Sequence, residues 1–499
     1  MKLKIIRICL AVVFWLGITL LFLDISGALH VWLGWMARVQ FLPAVMALNV
    51  AVIITLILLT LVFGRVYCSV VCPLGVFQDG IAHIAARHRA RHGKRKAYAW
   101  HPERKIIRYA VWVIFVVALL AGIQPLVALL APYSSWGRMV QSLLQPLYLW
   151  ANNALSWLSG RLGGYAFYPR EVWLRSLPVL VVSVATLVLV TVLAARGGRS
   201  YCNDICPVGT TLSFFSRFAL LRPVIDSDKC RNCKMCEHAC KASCINIAGH
   251  KIDYSRCVDC FNCLDSCKFD ALHYRFAYGK GSASASGKTP DTHADASRRA
   301  FLSGALVLGG GAVLKAQEQK LDGGLAPVLP KKVPSREVPL TPAGSVSVKD
   351  FYRRCTACQL CVAECPNNVL RPSASLERLM QPEMSFERGY CRPECTRCSE
   401  VCPSGAILKI TPEEKTAYHV GTAHVNRELC QTELGTKCGN CARHCPSGAI
   451  TMVQHSGIDN LIPVVDETLC IGCGACENLC PVRPVSAITI NGRHSHLEA

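Results

Sequence analysis

Apolar residues along this chain gather into four long runs upstream of Cys230 and then thin out. The runs at 8–23, 42–63, 109–131 and 177–195 each approach the roughly 20 residues that an α-helix needs to cross a bilayer. They predict an α-helical membrane domain of four helices over residues 1–210. Downstream lie two cysteine-dense regions, 211–277 and 347–499. Between them come a Gly-, Ser- and Ala-rich stretch at 278–296, which reads as a flexible linker, a weakly apolar stretch at 297–316, and a Pro-rich spacer at 317–346.

Basic residues flank the apolar runs. Lys2, Lys4 and Arg7 precede the first, and a loop from Arg87 to Arg108 is dense in Arg and Lys. The positive-inside rule puts both in the cytoplasm, so the connections 28–41 and 132–176 lie outside and the chain returns inside at Arg196. The region 211–277 is then cytoplasmic. With 499 residues, 52% of them hydrophobic, and a mean hydropathy of +0.30, the chain is too apolar for a soluble protein and too long for one domain. Its net charge of +21 lies wholly upstream of residue 317, beside the apolar runs, where it sets topology; nucleic acid is not an expected partner.

Of the 30 cysteines, all but Cys9 fall in regularly spaced groups, unlike a disulfide scaffold. Cys230, Cys233, Cys236 and Cys240 follow the spacing C-x2-C-x2-C-x3-C, and Cys257, Cys260, Cys263 and Cys267 repeat it. Three thiolates on a tight loop hold three corners of a [4Fe-4S] cube, and the fourth, on a following helix, reaches the neighbouring cube. Cys267 is expected to complete the first cluster and Cys240 the second. Zinc would need two separated C-x2-C pairs. Lys241 follows Cys240 where these motifs usually carry proline, and Cys244 adds a thiol that is either a small packed residue or an exchangeable ligand.

The last region holds four motifs: Cys355, Cys358, Cys361, Cys365; Cys391, Cys395, Cys398, Cys402; Cys430, Cys438, Cys441, Cys445; and Cys470, Cys473, Cys476, Cys480. Proline follows each fourth cysteine. The first and fourth motifs are regular and the middle two have longer first gaps, a symmetry that hints at pairing one with four and two with three. Six [4Fe-4S] clusters are expected in all, in α+β bacterial ferredoxin-like domains.

At the ends of the second and fourth runs the chain repeats itself. Gly64-Arg65-Val66-Tyr67-Cys68-Ser69-Val70-Val71-Cys72-Pro73-Leu74-Gly75 recurs as Gly198-Arg199-Ser200-Tyr201-Cys202-Asn203-Asp204-Ile205-Cys206-Pro207-Val208-Gly209. The membrane domain therefore reads as two copies of a helix pair, which brings Cys68, Cys72, Cys202 and Cys206 toward one pseudo-symmetry axis. A redox dithiol, a four-thiolate metal site and a lining for quinone chemistry are all open to them; the bland alternative is a packed turn.

Ser297-Arg298-Arg299-Ala300-Phe301-Leu302 before a weakly apolar stretch resembles a twin-arginine export signal, here inside the chain; an ordinary spanning helix is the alternative. Clusters inserted in the cytoplasm must cross the membrane in a folded domain. Leu314-Lys315-Ala316 is a poor cleavage site, so an uncleaved fifth membrane segment is expected.

The doubled C-x3-C-P, the four runs and the two cytoplasmic motifs resemble NapH-type subunits of periplasmic nitrate reductase systems. The twin-arginine stretch with its four motifs resembles NapG and the MauM proteins of methylamine utilisation. The resemblance implies a fusion of the two in a bacterial inner membrane, with the last domain periplasmic. It implies a quinol dehydrogenase component that takes electrons from quinol near the four repeat cysteines and passes them to a periplasmic cytochrome or reductase. No nicotinamide fingerprint, P-loop or haem C-x-x-C-H marks a terminal substrate site. Asp24, His30, Asp79, His83 and Gln124 are candidate proton handlers near the helices. The alternatives are a copper reductase or assembly factor using the repeat cysteines, and an iron-sulfur regulatory or maturation protein.

Overall fold

A computed structural model describes residues 2–24, 27–91, 98–164, 167–278, 329–454 and 460–496. The linker beyond residue 278, the twin-arginine stretch and the first part of the Pro-rich spacer lie outside the described residues.

Two of the four apolar runs form helices long and apolar enough to cross a membrane, Lys2–Leu23 and Leu177–Gly197. The other two depart from the expectation of single spanning helices. The run 42–63 is split into Phe41–Met46 and Val50–Phe63, with Leu48 at φ 52° between them and the Asn49 side chain accepting from Val52 N at 3.2 Å. A short polar side chain that can cap a new helix thus ends one and starts another. The run 109–131 is likewise split into Lys105–Ala121 and Gln124–Leu130 by Gly122 at φ 76°, a left-handed turn that glycine adopts without steric cost.

Each copy of the repeat begins with a long apolar helix, Val50–Phe63 or Leu177–Gly197. A single π-helical turn follows, Tyr67–Val71 or Tyr201–Ile205, and then a helix opened by proline, Pro73–Arg91 or Pro207–Ser216. π turns are rare and concentrate at functional sites. Large apolar side chains stay exposed on the outer faces, among them Val13, Ile54, Val117, Trp150 and Val188.

The first cysteine-dense module is closed by an antiparallel pair, Leu221–Ile225 with Leu272–Phe276, around an inner pair, Ile245–Asn246 with Lys251–Ile252. The C-terminal module repeats the scheme: Gly421–Val425 pairs with Ile488–Gly492 around the hairpin Ile450–Gln454 and Leu461–Val465. A further hairpin, Leu370–Pro372 with Pro382–Met384, lies between its first two motifs.

The first module meets the start of the Lys2–Leu23 helix, where Lys4 pairs with Asp265 at 3.0 Å. The C-terminal module meets the other end. The absence of a side chain at Gly137 lets the Cys358 carbonyl come close beside Phe22, and Gln124 Nε2 donates to Arg353 O at 2.6 Å. One continuous core runs from Ile18 and Phe22 through Tyr133 to Phe351 and Leu360.

Candidate functional site

In each of the six motifs the third cysteine sits in a helix of four or five residues that ends one or two residues before the fourth; Met235–Ala239 and Leu360–Glu364 are examples. The loop before it often turns left-handed, as at Lys234, Phe261, Gln359 and Gly474, and wraps the preceding thiols around one centre.

Cys230, Cys233 and Cys236 share a small cavity with Cys267 from the far motif, walled by Ile225 and Leu272. Cys257, Cys260 and Cys263 share another with Cys240. Cys244 lines this second cavity as well, its Sγ 3.4 Å from that of Cys240, so it is a fifth thiol at the site and no remote packing residue.

In the C-terminal module Cys402 stands within electrostatic reach of Cys355, Cys358 and Cys361, and Cys365 within reach of Cys391 and Cys398. Cys480 lines one cavity with Cys430, Cys438 and Cys441, and Cys445 reaches Cys473 and Cys476. The pairing is therefore one with two and three with four. This corrects the pairing suggested by the spacing symmetry. The reason is strand closure: the strand before motif three pairs with the strand after motif four, which makes each unit contiguous in sequence.

Four soft thiols on apolar walls, helped by amide donors such as Ala271 N to Cys267 Sγ at 3.3 Å, suit an iron-sulfur cube in donor chemistry. Cys402→Ser and Cys361→Ser should each cost one cluster's iron, and the double variant no more than either, since both serve one socket. Additive loss, measured as iron per chain, would restore the pairing of one with four.

The repeat brings its four cysteines together. Cys68, Cys72, Cys202 and Cys206 are all buried and within electrostatic reach of one another. Arg65 Nη2 lies 3.8 Å from Cys68 Sγ and Arg199 Nη1 3.6 Å from Cys202 Sγ. Gln78 Nε2 donates to Cys202 Sγ at 3.3 Å and Gly209 N to Cys206 Sγ at 3.4 Å. Burial pushes the thiols of Cys68, Cys72 and Cys206 up, while Arg65 and Arg199 pull Cys68 back. Cations and N–H donors aimed at sulfur stabilise thiolate, the form that ligates metal. Among the described residues no three or more His, Cys, Asp or Glu side chains, those of the quartet included, are drawn in around a single metal ion.

The quartet lies between the two modules. On one side Arg65 Nη1 donates to Ser255 O at 3.0 Å, and Arg199 N donates to Lys241 O at 2.8 Å across Gly198, where a side chain would strike Lys241. On the other side Tyr67 and Tyr201, both buried, lead to Tyr133 and Arg138, which lie within reach of Cys358.

Lys241 and Asp79 explain each other. Asp79 is buried and bound by Arg7 at 2.8 Å, Arg199 at 2.7 Å and Lys241 at 2.9 Å. Burial alone would push its carboxyl up, but Arg199, Lys241 and Arg7 outweigh it and hold the group well below the usual carboxylate range. This ties the first module to the repeat. Of the other proton-handling candidates, Asp24 accepts from Gly27 N and Leu29 N, Gln124 is engaged with Arg353, and His83 is exposed. His30 approaches Glu364 at 3.8 Å. Glu364 was not singled out by the sequence reading, since nothing in a lone Glu between two motif cysteines sets it apart.

Family models agree with this division. A 4Fe-4S binding domain matches residues 45–92 and 176–224, the two copies of the repeat, and a 4Fe-4S dicluster domain matches 354–406 and 436–483. An uncharacterized protein of Methanocaldococcus jannaschii is 40% identical over 74 residues, 15% of this chain and 29% of that protein. The methylamine utilization ferredoxin-type protein MauM of Methylorubrum extorquens is 34% identical over 149 residues, 28% of this chain and 67% of MauM. The ferredoxin-type protein NapF of Escherichia coli K12 is 28% identical over 158 residues, 32% of this chain and 87% of NapF. The chain thus spans less than a third of the archaeal relative's length.

Proposed function

Because the chain belongs to the ferredoxin-type iron-sulfur proteins, we propose that it is a membrane electron relay that oxidises quinol and delivers electrons to an acceptor beside its C-terminal module. The observation that carries this reading is the place of the four repeat cysteines, buried between two multi-cluster modules at opposite ends of the helices. A centre held by those four thiolates would make one path out of two otherwise separate halves.

Bound clusters supply one-electron carriers whose potentials follow burial, charge and hydrogen bonding. The chain's own residues set those terms. Arg65, Arg199 and Gln78 present positive charge and N–H groups to the quartet, which favours the reduced, more negative state. The Asp79 network fixes the first module against it.

Two helices of spanning length and the exposed apolar faces beside them support membrane association. In this reading the NapH-like and NapG-like halves are joined, the twin-arginine segment carries the C-terminal module across the bacterial inner membrane, and the module hands electrons to a periplasmic cytochrome or reductase of nitrate-reductase type. The first module stays on the cytoplasmic side with Lys4, Arg7 and the basic loop.

The test is anaerobic addition of quinol to the full chain in lipid nanodiscs, followed by electron paramagnetic resonance. Reduced-cluster signals that grow with quinol support the relay. A silent spectrum, with thiol-dependent stoichiometric copper binding in its place, points instead to metal handling.

A further inference from the structure

Where the helices meet the C-terminal module lies a cavity of about 430 Å³. Gln141, on the π-helical turn Val140–Leu144, lines it together with Ser176, Gln359 and Glu364. So does Cys365, which stands with Cys391 and Cys398 in one candidate cluster socket.

Several polar side chains here are buried with hydrogen-bonding atoms left over, although Gln359 Nε2 donates to Met380 O at 3.3 Å. Gln141 exposes 5% of its surface, Glu364 3% and Gln359 1%. Yet both polar atoms of Gln141, Oε1 of Gln359, both oxygens of Glu364 and Oγ of Ser176 have no hydrogen-bond partner. His30 and Arg397 approach Glu364 only to 3.8 and 3.6 Å, beyond hydrogen-bond range. Folded proteins rarely leave such groups alone, because desolvation without a partner is costly.

The unpaired atoms are mostly acceptors, while Arg170, Arg175 and Arg397 on the same lining bring donors, so a ligand that fits both donates and accepts hydrogen bonds. Leu149, Trp173 and Val179 add apolar surface to the same cavity. A flat ring with apolar faces and a hydroxyl at each end meets both demands. The volume falls within the range of small-molecule sites, about 300–1,000 Å³. Leu149 and Val179 belong to the helices Gln145–Arg161 and Leu177–Gly197, which expose Leu147, Trp150 and Val181, so a hydrophobic ligand can arrive from lipid.

We propose that this cavity is the binding site for a quinol headgroup, with Gln141 and Gln359 orienting the ring hydroxyls beside the Cys365 socket. The inference rests on the quinol reading above and moves the donor site from the repeat cysteines to the face of the C-terminal module.

The test uses the full chain in nanodiscs of zwitterionic lipid with a photoreactive azidoquinone. Label is expected on peptides containing Gln141 or Gln359, displaced by excess unlabelled quinol. Gln141→Leu and, separately, Gln359→Gly should weaken quinone binding about tenfold with iron content unchanged; thermal unfolding should stay as in wild type for Gln141→Leu and fall slightly for Gln359→Gly, which also loses the Nε2 bond to Met380 O at 3.3 Å. If wild type binds and is reduced by quinol while both variants match it and the label lies elsewhere, the site assignment is wrong and the relay reading stands. If wild type neither binds quinone nor is reduced by quinol, both fall. Label displaced by anionic phospholipid but not by quinol makes the cavity a lipid site and overturns the assignment.

Discussion

Cys68→Ser combined with Cys202→Ser is expected to leave the six ferredoxin-type sockets filled and to cut the electronic link between them. The two thiols belong to different copies of the repeat, so their loss removes half of the buried quartet from both sides of its pseudo-axis. No cysteine of the first module or of the C-terminal module is altered. Reductant supplied to the first module should then reduce its two clusters and leave the C-terminal clusters oxidised. The readout is the resonance spectrum of the reduced double variant beside that of wild type, with iron per chain confirming that the ferredoxin-type clusters persist. C-terminal clusters reduced at the wild-type rate would mean that the quartet is not on the path.

Asp79→Ala is expected to cost about 3–5 kcal/mol of stability, the range for removing one partner of a buried ion pair. Three cations, Arg7, Arg199 and Lys241, would be left facing one another without their shared anion. Since Lys241 follows directly on Cys240, the first module should loosen from the helices and its second cluster become accessible to chelator. Chemical denaturation of the full chain and the rate of iron loss to a chelator both measure this. The carboxyl is depressed in the folded state, so its contribution is fully present above the unfolded carboxylate pKa of about 3.9 and fades only as pH falls below that value. Wild type and variant should therefore converge in stability only in strong acid.

Much of this was legible from the chain. Cysteine spacing gave the sockets, because a cube needs three thiols on one tight loop and a fourth from a neighbour, and few other roles demand that pattern. The repeat was visible because both copies preserve Gly, Arg, Tyr, Cys, Cys, Pro and Gly in register. The breaks in two apolar runs were masked by their overall hydropathy, although Asn49 and Gly122 are the residues that make them. The pairing of the C-terminal motifs was misread because spacing symmetry says nothing of which strands close on each other. Lys241 looked like a departure from the motif; its meaning depends on Asp79, which only the folded chain brings within reach. Gln141 and Gln359 gave no sign in one dimension, since an unpaired amide is defined by what surrounds it.

The most direct test of the relay is made on oriented vesicles carrying the full chain, with a membrane-impermeant reductant on the side of the first module. Clusters of both modules should become reduced, and the C-terminal signals should disappear from that response in the quartet variant. Reduction confined to the first module in wild type would contradict a through-membrane path.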